Sequence, residues 1–212
     1  MKKHLMKINK KDLILIISVI VLNTTIYIIG RTNKITPYVV TGTLDSYIPF
    51  IKWFIYPYVS WYLLIFLMPL LVSIYDKDAF YKYITFMYLS LLVTLIVYIF
   101  APTIIIREDI NLLNNTLTDR LITHIYNAGS TLASAPSLHV LLAFGFIMPL
   151  INGKKVPNII RIIGVILGLL IILATVFIKQ HALIDVVTSI FIVIACYFIT
   201  KVFKLDKYIK SL

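Results

Sequence analysis

Apolar residues gather along the chain into six stretches, about 13–30, 53–75, 83–101, 138–151, 160–178 and 182–200, with polar segments between them. A helix rises 1.5 Å per residue, so about 20 apolar residues cross the hydrocarbon core of a bilayer. Five stretches come close to that length. The fourth, SLHVLLAFGFIMPLI, is short and needs its flanks, or a locally thinned bilayer, to cross. The first follows a basic start, MKKHLMKINKK, as a signal peptide would. It is longer than a signal core and lacks a small-x-small cleavage site, so it reads as a retained span.

The two longer polar segments carry patterns of their own. Segment 31–52 runs into DSYIPFIKWF, where Tyr47, Phe50 and Trp53 suit the aromatic belt at a membrane interface. Segment 109–127 has Ile110, Leu113, Leu117, Leu121 and Ile125 at helical spacing, with Asn114, Asp119 and Arg120 elsewhere. That arrangement predicts a helix lying on the membrane surface. No internal repeat or low-complexity tract interrupts the series.

Composition sharpens this picture. Of the 212 residues 60% are hydrophobic and only 14% charged, and the mean hydropathy is +0.96. A soluble domain of this size cannot bury so much apolar surface, and a disordered chain would not carry it. The net charge of +11 would suggest nucleic acid in a soluble protein. No nucleic-acid motif accompanies it, and basic residues collect on the cytoplasmic side of membrane proteins. The single cysteine, Cys196, lies in an apolar run, which excludes an intramolecular disulfide.

Orientation follows from the same residues. With the N-terminus inside, only Arg31, Lys34, Lys52, Arg107, Arg120 and Lys179 of the 20 Lys and Arg fall in outer segments. That excess inside is what six spans with both termini cytoplasmic require. The expectation is an all-α, polytopic, six-transmembrane-helix bundle in the cell membrane, one domain over 1–212, with a surface helix in an outer loop.

Three polar clusters fall where outer segments meet spans: Arg107; Pro136-Ser137-Leu138-His139; and Lys179-Gln180-His181 followed by Asp185. His181 and Asp185 stand at i and i+4, where they share a helix face. A carboxylate on one imidazole nitrogen fixes the tautomer and leaves the other nitrogen as nucleophile or base. Pro136 suits the first turn of a helix, and Ser137 and His139 then lie beside free N–H groups fit for phosphate. Each cluster alone has a structural alternative: a pair closing a helix start, an interfacial histidine, a snorkelling arginine. Converging on one outer face, they suit holding a phosphate, attacking it and protonating its leaving group.

The order Arg107, Pro136-Ser137-x-His139, His181-x-x-x-Asp185 resembles the type 2 phosphatidic acid phosphatase (lipid phosphate phosphatase) superfamily over about residues 45–195. The stretch LDSYIPFIKWFIYPYVSWY resembles a branch of small bacterial members. The resemblance implies His181 as nucleophile, Asp185 as its activator, His139 as general acid, and Arg107 and Ser137 as phosphate ligands, with no metal and no cofactor. Departures accompany it. Phe100 stands where the first motif has Lys, Glu108 follows the arginine in place of Pro, and Leu138 replaces Gly. Ala174-Thr175 replaces the Ser-Arg that opens the third motif, which makes Lys179 the expected substitute for that charge.

Three functions follow as expectations. The first is hydrolysis of a lipid phosphate monoester or pyrophosphate through a phosphohistidine. The second passes the phospho head group to an alcohol, as in sphingomyelin and inositol-phosphorylceramide synthases, which the Pro-Ser-Leu-His form resembles. The third is a non-catalytic anion-binding membrane protein. Among the remaining candidates, the four histidines and one cysteine show no metal-ligand spacing. His4 and His124 read as solvated, and Asn114-Asn115-Thr116 as a chance glycosylation match.

Overall fold

The structure, a computed structural model, describes residues 8–107 and 116–211. Its elements in chain order are α1 (Lys10–Arg31), β1 (Tyr38–Val39), α2 (Thr43–Ser46), a 3-10 turn (Lys52–Phe54), α3 (Ile55–Tyr75), α4 (Lys77–Phe100), β2 (Thr103–Ile104), α5 (Leu117–Ala128), α6 (Leu138–Asn152), α7 (Asn158–Phe177), α8 (Leu183–Phe203) and α9 (Asp206–Ser211). Five helical segments, from α1, α3 with its leading 3-10 turn, α4, α7 and α8, are long and apolar enough to cross a membrane. The sixth, α6, has 15 residues, about 22 Å at helical rise. It corresponds to the short fourth apolar stretch of the sequence, and the protein is a polytopic all-α membrane protein.

Polar residues set where the helices begin. Asn9 caps α1 by accepting from Asp12 N at 2.8 Å, Asp76 caps α4 by accepting from Ala79 N at 3.2 Å, and Ser137 caps α6 by accepting from Val140 N at 3.3 Å. Each satisfies a donor that the helix itself cannot pair. Helix α4 packs against α1, α3, α6 and α8. Its Phe80, Tyr83, Phe86, Met87 and Leu91 are fully buried beside Phe146 of α6. Ile14, Ile17 and Val21 of α1 and Ile162, Ile166 and Leu169 of α7 face outward, as a lipid-facing surface requires.

The helices alternate in direction, which gives the bundle two different ends. At one end Lys77 pairs with the buried Asp12, Lys210 Nζ lies 2.7 Å from Asp78 Oδ1, and Lys155 N donates to Asp76 at 3.3 Å. Both described termini are there. At the other end lie the starts of α3, α6 and α8, the ends of α1, α4 and α7, and helix α5. A two-residue parallel pairing of β1 with β2 stitches the 31–52 segment to the chain after α4. Its side chains alternate over too few residues to show in the sequence. Tyr47 and Trp53 are exposed here, at the end where the aromatic belt is expected.

Two local expectations need correction. Helix α5 starts at Leu117, with residues 108–115, including Ile110, Leu113 and Asn114, outside the described set. Its inward face is Thr118, Asp119, Ile122 and Ile125 while Leu117 is exposed. Asp119 turns inward because it closes a capping box, accepting from Thr116 N at 3.0 Å, and lies 3.7 Å from Lys52 Nζ. The hydrogen bonds from Thr116 hold its carboxyl below the usual aspartate range. Pro136 is not in the first turn of α6: Ser137 is the cap and Pro136 precedes it, after a cis peptide bond.

Candidate active site

All three clusters arrive at the end of the bundle that carries α5. His181 and Asp185 meet, though not as residues of one helix face. His181 precedes α8, whose N-cap is Ala182, and Asp185 is the third residue of the helix. The Asp185 carboxylate folds back over the cap. Its Oδ2 accepts from Ala182 N at 3.0 Å and from Ser134 Oγ, and lies 3.0 Å from His181 Nδ1. Asp185 is fully buried. With Nδ1 held by the carboxylate, Nε2 is the nitrogen of His181 left for chemistry.

His139, the second residue of α6, is brought beside this pair. Ser137 N donates to Asp185 O at 3.4 Å and Ser189 Oγ donates to Ser137 O at 3.0 Å, tying the start of α6 to the first turns of α8. The two imidazole rings lie with centroids 5.8 Å apart. His139 is held between Tyr58, stacked at 4.6 Å, and Trp61 at 4.3 Å, both from α3. Its Nε2 is buried with no hydrogen-bond partner among the described residues.

Arg107 reaches the same place from the chain after β2. Its Nη2 donates to Gln180 Oε1 at 2.8 Å and to Ser130 O at 3.2 Å, its Nη1 to Tyr126 O at 3.4 Å, and its guanidinium stacks on the Tyr126 ring. These partners are neutral, so the charge is oriented but not cancelled. Burial draws the Arg107 pKa down from the usual arginine value, and an arginine remains charged at neutral pH despite such a shift.

Gln180 is the residue that sequence reasoning passed over. An arginine only donates, so the bond from Arg107 must fall on the amide oxygen. The amide nitrogen therefore points elsewhere. It is buried, without a partner among the described residues, and Gln180 lines the same cavity as His139 and His181. Its sequence signal was its place between Lys179 and His181, but an uncharged side chain drew no weight.

The cavity occupies about 230 Å³ between α1, α3 and the loop 128–133. All three expected ligands, Arg107, Ser137 and Lys179, lie off its wall, Arg107 behind Gln180 and Ser130. Ser137 is fully buried and spends its oxygen on capping α6. Lys179 sits in the left-handed region, with φ 54°. Its Nζ donates to Asp45 O at 2.8 Å, beside a smaller cavity of about 90 Å³ on the far side of His181. Gln180 N and His181 N both donate to Thr175 O, at 2.9 and 3.0 Å. The reversal at Lys179 thus sends Gln180 and His181 inward and Lys179 away. Asp45 braces the turn further, since its Oδ1 accepts from Leu183 N at 2.8 Å.

Among the described residues no group of three or more His, Cys, Asp or Glu side chains could hold a metal ion. Comparison with curated proteins and with solved structures gives no match. Residues 40–199, which contain all three clusters, match the family model of the PAP2 superfamily. The chain belongs to that superfamily, a membership that supports phosphoryl transfer of the phosphatase type at a membrane.

Proposed function

We propose that this protein is a membrane phosphatase that hydrolyses a lipid phosphate monoester or pyrophosphate through a phosphohistidine. The observation that carries the proposal is the His181 Nδ1–Asp185 Oδ2 contact of 3.0 Å on a cavity shared with His139. The lone pair of His181 Nε2 attacks phosphorus while the bond to the lipid oxygen breaks. That oxygen keeps the bonding pair and takes a proton from His139. Water then attacks the phosphohistidine, giving a proton back to His139. The phosphorus–nitrogen bond breaks, orthophosphate leaves, and the nitrogen regains its lone pair.

Phosphate oxygens are held by donors rather than by a metal. Gln180 Nε2 donates directly, and Arg107 supplies positive charge and fixes the amide that donates. Asp185 keeps the His181 tautomer and steadies the ring as charge develops, as carboxylates do for catalytic imidazoles. The site faces outward and both termini are cytoplasmic, a reading supported by the distribution of Lys and Arg.

The test is phosphate release from a panel of lipid phosphates by the purified protein in detergent, with and without added alcohols. Release without alcohol supports the phosphatase. Release that needs an alcohol, with a phosphorylated alcohol as product, replaces it with the transferase. No release and no transfer on any substrate would leave an anion-binding protein.

A further inference from the structure

The end of the bundle away from the histidines has a cavity of its own, of about 240 Å³, and the length of α6 accounts for it. The start of α6 is tied to its neighbours: Ser137 N and Ser189 Oγ join it to α8, and Tyr98 of α4 donates to Pro136 O at 2.7 Å. Its 15 residues cover about 22 Å of a hydrocarbon core of about 30 Å, so the shortfall falls at the far end. Helices α4 and α8 are longer, with 24 and 21 residues, and run past that end. The cavity lies in the space this leaves, and the loop after α6 brings Lys154 and Lys155 to its wall.

The wall is charged at its mouth and apolar deeper in. Lys82 of α4 joins the two loop lysines, while Phe86, four residues on and about 6 Å deeper, meets the Tyr197 ring beside Met148. Two aspartates share the mouth, but both are already engaged. Asp76 is buried and accepts from Ala79 N and Lys155 N, and Asp78 pairs with Lys210 at 2.7 Å. Lys82 and Lys155 act on the Asp78 carboxylate electrostatically. Neither they nor Lys154 form a salt bridge among the described residues. Four lysines thus face two aspartates, and the mouth is net positive. The loop is fixed as well, since Arg161 Nη2 donates to Gly153 O at 2.6 Å and Asp76 holds Lys155 N.

We propose that this cavity binds the headgroup of an anionic phospholipid from the leaflet at that end. The phosphate lies among Lys82, Lys154 and Lys155, and the glycerol and first acyl carbons lie on Phe86, Met148 and Tyr197. A short span draws its flanking basic residues to headgroup depth, and basic pockets between spans take anionic headgroups. A soluble anion would use the lysines and leave the apolar wall in water, so the order of the wall favours a lipid. The phosphatase reading plays no part, because this cavity shares no lining residue with the one at His181.

The test is lipid retention by the full chain in detergent, measured by native mass spectrometry with phosphatidylserine and phosphatidylcholine of the same acyl chains. Wild type should hold one phosphatidylserine about tenfold or more tightly than phosphatidylcholine. Each of Lys82→Gln, Lys154→Gln and Lys155→Gln should weaken it about fivefold, the effect of one basic residue beside an anionic lipid surface. The three together should bring the two lipids level. Lys10→Gln, Lys201→Gln and Lys207→Gln remove as much charge from exposed positions at the same end, off the cavity, and should leave the preference intact. An equal loss in both sets would mean diffuse surface charge and overturn the site. Equal binding of the two lipids by wild type, or a preference that survives in the cavity triple variant, overturns it too. Glycerol phosphate offers the same phosphate without acyl chains and should not displace the lipid. Displacement at the same concentration as the lipid would reassign the cavity to a soluble anion.

Discussion

Arg107 Nη2 donates to Gln180 Oε1 at 2.8 Å, and this single bond decides which end of a buried amide is left without a partner among the described residues, on a residue that lines the cavity. The amide nitrogen is left to give a hydrogen bond to whatever anion enters. Gln180→Leu should therefore lower kcat/KM by about 10- to 100-fold, the usual cost of one donor to a charged oxygen. Gln180→Glu should cost more, since its carboxylate faces a phosphate dianion. Lys179→Met should have the smaller effect, because that side chain is turned toward Asp45. Kinetics of the three variants on one substrate check the order. A Lys179→Met loss as large as that of Gln180→Leu would return the phosphate contact to Lys179.

The two histidines should separate by leaving group. His181→Ala should abolish the phosphoenzyme on every substrate. His139→Ala should lose proton donation, about 10²- to 10⁴-fold, with a smaller penalty for a nitrophenyl phosphate, whose oxygen can leave unprotonated. Asp185→Asn should fall between them. Rate against leaving-group pKa is the measurement, and equal rescue of both histidine variants would mean that the roles are exchanged or absent.

Helix α5 should depend on pH through its cap. Hydrogen bonds from Thr116 lower the folded pKa of Asp119. The stabilisation is thus present above the unfolded aspartate value of about 3.9 and lost as pH falls through the folded one. Hydrogen exchange of α5 should be slower at pH 6 than its intrinsic rate change explains, relative to pH 3. Thr116→Ala should speed opening at pH 6 and matter less at pH 3. An equal effect at both would show that the carboxylate is not involved.

Orientation is open to direct labelling. In a Cys196→Ala background, a cysteine at the exposed Lys34 should react with an impermeant thiol reagent on intact cells, and one at Lys154 only after lysis. The reverse pattern would place the histidines on the cytoplasmic side.

On the proposed mechanism, in which positive and amide donors do the work of a cation at phosphorus, chelators should leave activity intact and vanadate should inhibit. Activity lost to a chelator and restored by one divalent ion would contradict the histidine mechanism.

The sequence by itself determined the membrane class, the six apolar stretches and the convergence of Arg107, His139, His181 and Asp185. Span length, charge distribution and fixed spacing report these without tertiary knowledge. The His181–Asp185 contact was legible for a partly different reason from the one that makes it. Four residues apart suggests a shared helix face, but the contact comes from an aspartate at the third helical position folding back over the cap. What remained hidden depended on direction rather than on proximity in the chain. A left-handed residue at Lys179 turns one side chain out and the next two in, and no residue type announces it there. Ser137 looked like a ligand because a serine at a helix start serves equally as cap or as donor, and only packing chose the cap. Spans that are apolar nearly all round do not show which face meets a neighbour. That Asn23 of α1 shares a cavity with His181, far along the chain, was therefore decided by the tertiary structure alone.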